Sequence, residues 1–271
     1  MSATIFDSVQ TTKKILGRLK KEVKKLNFRP LFCDILVGSD PVSLSFVKLK
    51  GEKAEEIGLR FQLIQLPENS TTDQLLETIL GLEKDRNLSG LVVQLPLPKH
   101  IDQKKVLSSI KSNVDADCLS GQTVLVPPTA GAILTILDSL ELELEAKTIL
   151  VVGRGELVGR PVKDLLERRG LNVVVADKTT NDLAGLTLSA DVIITGAGQP
   201  GLIRGEMVKK GVILIDAGTA DQSGSIVGDI ETASVLETAS FLSPTPGGVG
   251  PVTVAKLLEN VVKLAKMRKP V

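Results

Sequence analysis

The chain contains neither tryptophan nor tyrosine, and its aromatic character rests on six phenylalanines. Any aromatic contact with a ligand must therefore come from a phenylalanine ring. A single histidine, His100, excludes a histidine-based catalytic triad and a histidine-containing zinc cluster, and its place after Lys99 reads as an exposed loop. The two cysteines, Cys33 and Cys118, lie far apart without metal-type spacing, and the N-terminus does not resemble a secretory signal, so a reducing, cytoplasmic setting is expected. No apolar run reaches membrane-spanning length. An excess of charge is also missing: 33 lysines and arginines face 32 aspartates and glutamates, which argues against wholesale binding to nucleic acid or to an anionic membrane. Even the lysines of residues 8–26 surround a helical apolar stripe and read as a solvated face. The chain has 271 residues, 42% of them hydrophobic, enough for one large or two ordinary domains that fold without disulfides.

The most informative stretch is Thr148-Ile149-Leu150-Val151-Val152-Gly153-Arg154-Gly155-Glu156-Leu157-Val158-Gly159-Arg160-Pro161. A β-branched run enters glycines 153, 155 and 159, and a helical segment continues from there to Gly170. Strand, tight turn and helix in that order let the backbone approach a pyrophosphate and aim the positive end of the helix at it. The next apolar run, residues 173–176, ends in Asp177, where an acidic side chain can take a ribose hydroxyl. Arg154 and Lys178 are instead cations suited to a ribose 2′-phosphate. The two cations outweigh the one acid, so NADP is expected, with NAD as the alternative. Two further strands end in small residues, at Gly196-Ala197-Gly198 and at Asp216-Ala217-Gly218 with Thr219 next, where a cofactor can lie against the backbone.

Upstream, apolar runs 31–37, 59–66 and 88–95 alternate with helical stretches 42–57 and 72–85, the pattern of right-handed βαβ units and a parallel sheet. Ligands in such sheets bind beyond the carboxyl ends of the strands. After the first strand, Phe46 and Lys50 stand four apart and share a helix face, an aromatic platform beside an amine. The competing reading is a core phenylalanine and a lysine reaching out to solvent. After the third strand, Gln94 precedes Leu95-Pro96-Leu97-Pro98, and its amide can bind a ligand or orient Lys50. Asp115 and Asp117 are two carboxylates at a junction; either can accept hydrogen bonds from an aminopyrimidine edge, or form a turn. Finally, Pro244-Thr245-Pro246-Gly247-Gly248-Val249-Gly250-Pro251 is a shaped loop leading into an amphipathic helix over 252–266.

Four of these segments in this order carry a resemblance: Val37-Gly38 through Lys50, Val93-Gln94-Leu95-Pro96-Leu97-Pro98, Val152 through Pro161, and Pro244 through Pro251. Over nearly its whole length the chain resembles the bifunctional 5,10-methylenetetrahydrofolate dehydrogenase/5,10-methenyltetrahydrofolate cyclohydrolase family. The resemblance implies a two-domain α/β enzyme: an N-terminal three-layer domain with a parallel sheet over 1–120, completed by a C-terminal helix at 250–271, and a Rossmann-like NAD(P)-binding domain over 121–249, with a folate cleft between them. It implies Lys50 as the catalytic lysine, Gln94 as the residue that tunes and positions it, and Asp117 as the carboxylate that holds the pterin. Phe46, Pro246, Gly247, Gly248 and Val249 become expected folate contacts. Gly153, Arg154, Gly155, Gly159, Lys178, Gly196, Gly218 and Thr219 become expected contacts of NADP, with Arg154 at its 2′-phosphate. It implies a homodimer and no metal. The chain departs from the family at Phe46, where a tyrosine is usual, at Cys118, where glycine usually comes after the pterin-binding Asp, and at Gly155, which replaces a serine. Residues 119–128 are also shorter than the family's equivalent. The alternatives are a dehydrogenase with weak cyclohydrolase activity, on account of Phe46, and a non-catalytic nucleotide or folate sensor.

Overall fold

A computed structural model describes residues 2–222 and 225–268. In chain order the elements are β1 (Thr4–Ile5), α1 (Ser8–Val23), β2 (Leu31–Val37), α2 (Pro41–Glu56), β3 (Arg60–Leu66), α3 (Thr72–Leu82), β4 (Leu88–Val93) and α4 (Gln103–Ser109). They continue with α5 (Pro128–Asp138), β5 (Ile149–Val152), α6 (Gly159–Arg168), β6 (Val173–Ala176), α7 (Leu183–Ser189), β7 (Val192–Thr195) and β8 (Ile213–Asp216). The last are β9 (Ala220–Gln222), β10 (Ser225–Val227), α8 (Thr232–Val235), β11 (Phe241–Ser243) and α9 (Val249–Met267). Two compact units result, one of residues 12–128 and 254–271, the other of residues 1–11 and 129–253.

The first unit is built on a parallel three-stranded sheet in the order β3-β2-β4. Its central strand β2 is buried along its whole length, because helices cover both faces. Cys33, Ile35 and Val37 pack on one side with Leu75 and Ile79 of α3 and Val106 of α4. On the other side Phe32 and Val92 meet Leu16, Leu19 and Val23 of α1, Ala54 of α2, and Leu258, Val261 and Val262 of α9. The alternation arises from the two-residue period of a strand. Helix α2 begins where Asp40 accepts a hydrogen bond from the Ser43 amide at 2.7 Å and Pro41 occupies the first turn. A Cβ on Gly51 would come within 2.6 Å of the Phe61 ring, so only glycine lets α2 close onto β3 at this point.

The second unit carries a six-stranded parallel sheet in the order β1-β11-β8-β7-β5-β6, with β9 and β10 as a separate antiparallel pair. The chain leaves β5 to form β6 on one side and returns to form β7 on the other. The crevice at the carboxyl ends of β5 and β7 is thus the topological switch point at which such sheets bind ligands. Residues 1–11, placed with the first domain by the sequence reading, cluster with this sheet because Thr4 and Ile5 pair with Phe241 and Leu242 of β11. Val249 and Gly250, read as loop, form the first turn of α9. No described helix is long and apolar enough to cross a membrane.

Candidate active site

In the first unit the buried face of α2 carries Ser43, Val47, Lys50, Gly51 and Ala54. Lys50 is therefore not the solvent-reaching lysine of the competing reading; it is only 6% exposed. Its Nζ donates to Gln94 Oε1 at 2.7 Å, and the Gln94 Nε2 donates to the Leu95 carbonyl at 2.5 Å, which fixes which way the amide faces. Gln94 stands just beyond β4, where its own backbone N–H donates to Ile35 of β2 at 2.8 Å. Phe46 lies one turn before Lys50 and is half-buried.

A residue that sequence reasoning passed over completes this cluster. Asp34 sits in the middle of β2 with no exposed surface, and its Oδ2 lies 2.5 Å from Lys50 Nζ. Burial pushes its carboxyl above the ordinary range, while the Lys50 ammonium pulls it back. The available signal was one acid inside the otherwise apolar run Leu31–Val37. Inside a parallel strand such a group needs a partner.

Of the two junction carboxylates, Asp115 is the turn former. It is fully buried, and accepts from the Leu119 amide at 3.2 Å, the Ser120 amide at 2.9 Å and the Ser120 hydroxyl at 2.6 Å. Asp117 is half-buried, and loss of solvent pushes its carboxyl up to about 6, against the pull of Lys50 and with help from Asp115 and Asp34. The segment runs beside β4 through a bridge between Leu91 and Asp115. It is clamped by Asn260 of α9, whose Nδ2 donates to the carbonyls of Ala116 at 3.0 Å and Val126 at 2.9 Å. Cys118 has φ of 63°, the left-handed region that favours glycine. His100 is exposed, with Nε2 3.0 Å from the Ser70 carbonyl. A cavity of about 1170 Å³ bordered by Lys25, Phe28, Asp85, Arg86, Val124 and Arg268 lies elsewhere in this unit and involves none of these groups. No group of three or more potential metal ligands occurs among the described residues.

In the second unit the glycines of the turn are needed for different reasons. Gly153 has φ of 105° and its missing Cβ would lie 2.5 Å from the Gly196 carbonyl oxygen; a Cβ on Gly159 would lie 1.9 Å from that of Gly153. Gly155 has open space around it. Helix α6 starts with no side-chain cap at its N-terminus. A tight bare-backbone cradle before an uncapped helix fits the pyrophosphate of a dinucleotide. Arg154 and Lys178 are exposed beside it. Asp177, the competing acid, is already engaged: its Oδ1 accepts from the Thr179 amide at 2.9 Å and hydroxyl at 2.6 Å, and its Oδ2 is 3.5 Å from Arg154 Nε. These bonds, those of Thr179 foremost, hold its carboxyl below the ordinary range.

Two carboxylates not singled out from the sequence shape the loops after β7 and β8. Asp229 accepts from the amides of Ala197 and Gln199, both at 2.7 Å, so it sets the loop after Gly196. Asp216 accepts from the amides of Gly218 at 3.0 Å, Asp229 at 3.2 Å and Ile230 at 3.0 Å, and from the Thr195 hydroxyl at 3.1 Å. Burial pushes Asp216 up to about 6. Gly218 lies against the Asp229 carboxylate with no room for a Cβ, and Thr219 is exposed. In the proline-glycine loop, Thr245 donates to the Asp216 carbonyl at 2.9 Å and Ser8 donates to that of Gly247. Gly247 has φ of 95°, and Gly248 has no room for a Cβ against Ser243 and Pro244.

Two family descriptions match the chain: tetrahydrofolate dehydrogenase/cyclohydrolase, catalytic domain, over residues 6–117, and tetrahydrofolate dehydrogenase/cyclohydrolase, NAD(P)-binding domain, over residues 127–269. The bifunctional protein FolD of Nautilia profundicola is 39% identical, with 97% of each chain covered. Among solved structures, the bifunctional FolD enzyme from Campylobacter jejuni is 38% identical with a TM-score of 0.91, covering 98% of this chain and 99% of its own. The Trypanosoma brucei enzyme, solved with NADP cofactor and an inhibitor, is 35% identical with a TM-score of 0.93 over 98% of both chains.

Proposed function

Because the chain belongs to the tetrahydrofolate dehydrogenase/cyclohydrolase family, we propose that the cluster around Lys50 is its folate-reacting centre and the glycine turn its NADP site. The protein is an enzyme with two activities. It oxidises 5,10-methylenetetrahydrofolate to the methenyl compound with NADP and hydrolyses that product to 10-formyltetrahydrofolate. When bound, NADP supplies the hydride acceptor at C4 of its nicotinamide. Everything else must come from the chain.

Asp117, ionised above a pH of about 6, accepts hydrogen bonds from the aminopyrimidine edge of the pterin. Phe46 offers a flat apolar surface to the ring system, and Pro246, Gly247, Gly248 and Val249 contribute further folate contacts. Arg154 and Lys178 hold the 2′-phosphate, and Gly153, Gly155, Gly159, Gly196, Gly218 and Thr219 line the cofactor. Loss of hydride leaves a cationic methenyl carbon that is already electrophilic, so water attack needs a positioned base more than an acid. Lys50, with Gln94 fixing its Nζ, takes the proton of the attacking water and returns one to N5 as the ring opens. The observation that carries this reading is the buried Lys50–Gln94 hydrogen bond of 2.7 Å.

The test monitors reduced cofactor and the methenyl chromophore separately, in wild type and in Lys50→Gln, with NADP or NAD. Wild type is expected to form NADPH without accumulating methenyl compound. Lys50→Gln is expected to lose cyclohydrolase activity by about a hundredfold or more while still reducing NADP. Unchanged hydrolysis in Lys50→Gln refutes the role of Lys50; methenyl accumulation in wild type favours the reading in which Phe46 leaves the hydrolytic half weak. We further propose a homodimer working in the cytoplasm. The half-exposed valines of edge strand β6 and two free cysteines support these, and sedimentation of the purified protein tests the dimer.

A further inference from the structure

Asp34 has no part in the chemistry assigned to Lys50, Gln94 and Asp117, yet its position is expensive. It lies on the central strand of a parallel sheet, paired in register with Leu63 and Val92, with no exposed surface. Its sole ionic partner among the described residues is Lys50. Neither of its oxygens has a hydrogen-bond partner: Oδ2 has only the ionic contact with Lys50, and Oδ1 has none. A buried carboxylate with one ionic contact and no hydrogen bond is poorly satisfied as an anion. A neutral carboxylic acid beside a Lys50 amine avoids part of that cost, which brings the two protonation arrangements of the pair close together.

We propose that Asp34 is a positioning residue for the hydrolytic step, holding Lys50 Nζ beside Gln94 and taking up the ammonium proton when an amine is required. The proposal rests on the role of Lys50 as the base of the cyclohydrolase. The proton balance is simple. The resting pair is ammonium and carboxylate; transfer of one proton along the 2.5 Å contact turns it into amine and carboxylic acid, and nothing leaves the site. Water then adds to the methenyl carbon: its oxygen forms the new C–O bond as the C=N5 π pair moves onto N5, and its first proton goes to the Lys50 amine. The ring opens as the C–N5 bond breaks, with N5 taking one proton from the pair while the hydroxyl gives its own proton to the pair and becomes the formyl carbonyl. The pair now carries both protons and a positive charge. It returns to the resting state by releasing one proton, which is the proton that hydrolysis of a cation to a neutral formamide must release.

The pH dependence distinguishes this from a carboxylate that merely clamps the ammonium. The charged groups facing the pair are Asp117, and Asp115 whose oxygens are taken by Leu119 and Ser120. Cys33, on the opposite face of β2, is pushed up to about 12 by burial and stays neutral. If Asp34 takes the proton, cyclohydrolase is active as soon as the pair has lost the first of its two protons. In Asp34→Asn the amide oxygen still accepts a hydrogen bond from Lys50 but cannot take its proton, so activity waits for ionisation of the lysine itself. If Asp34 only clamps, removing its charge makes the amine easier to form, and the profile moves towards acid. Asp117 cannot mimic the expected result, because losing the Asp34 charge makes its carboxyl easier to ionise and moves its midpoint towards acid.

The experiment measures cyclohydrolase and dehydrogenase kcat and KM against pH for wild type, Asp34→Asn, Asp34→Leu and Lys50→Gln. In both Asp34 variants the cyclohydrolase kcat at neutral pH is expected to fall at least about tenfold more than the dehydrogenase kcat. The acid-side midpoint of Asp34→Asn is expected to move alkaline by about one pH unit or more, tenfold in the amine fraction. Asp34→Leu, an apolar replacement, keeps the comparison open if the amide destabilises the sheet. A midpoint that stays or moves towards acid overturns the proposal, as does an equal fall in both activities. Retained hydrolysis in Lys50→Gln removes the role of Lys50 and the proposal for Asp34 with it; loss there with unshifted Asp34 variants overturns Asp34 alone.

Discussion

Arg154 shows how a single side chain acquires its job from its neighbours. The loop offers two cations and an acid, and in isolation the acid competes for a ribose hydroxyl. With Thr179 on one oxygen of Asp177 and Arg154 near the other, the acid braces the loop and leaves the guanidinium exposed, as its proposed role at a phosphate requires. Replacing Arg154 by alanine removes one charge-assisted contact, of about 1.5–3 kcal/mol. The expected outcome is a fall in kcat/KM for NADP of about tenfold to a hundredfold, with a much smaller change for NAD; steady-state kinetics with both cofactors checks it. Gln94 could be singled out in the sequence because it stands just past a strand end, where parallel sheets keep their ligands, and Lys50 because it shares a helix face with Phe46 on the helix that follows a strand. Asp34 was not, because nothing in an apolar run tells which of its residues will face a lysine from the next helix.

At the scale of elements, α9 holds the Asp117 segment in place. Its Leu258, Val261 and Val262 cover the sheet of the first unit, and Asn260 between them is 2% exposed. The side chain satisfies the Ala116 and Val126 carbonyls, and Ala116 directly precedes Asp117, the carboxylate proposed to receive the pterin. Asn260→Leu leaves both carbonyls buried without a donor, at a cost of about 2–4 kcal/mol. The expected outcome is a lower midpoint in denaturant unfolding together with a raised KM for folate, while KM for NADP stays near that of wild type. An unchanged midpoint excludes the clamp. The amphipathic pattern of this helix was readable, but Asn260 reads as an ordinary polar residue there. Its partners are more than a hundred positions away in sequence.

For the molecule as a whole, near balance of charge leaves pH dependence to a few buried acids. Burial raises the pKa of Asp216 from 3.8 to about 6. The folded state therefore holds this proton more tightly than the unfolded chain. The stability that it contributes is complete below about 4 and is lost as pH rises to about 6. Asp216→Asn is expected to lower stability at neutral pH, since its amide cannot accept all of the N–H donors that Asp216 receives, and to flatten the slope of unfolding free energy between those two values. Chemical denaturation of both proteins across that range measures the slope. A slope as steep in the variant as in wild type assigns the pH dependence to other groups.

Composition and periodicity by themselves determined that this is an α/β protein of parallel sheets with one strand, glycine turn and helix in succession, and singled out Lys50 on the helix after a strand, Gln94 just past a strand end and Asp117 at a junction. These features are local: they depend on runs of apolar residues, on glycines a few positions apart, and on the residues just past the end of a strand. Only the tertiary structure decided that Thr4 and Ile5 extend the second sheet, that Asp115 forms a turn, and that Asp216 and Asp229 shape the loops after β7 and β8. It also placed Asp34 against Lys50. Each of those depends on strand register or on pairing between distant segments, and a buried carboxylate becomes meaningful only when the fold shows which cation shares its dry surroundings.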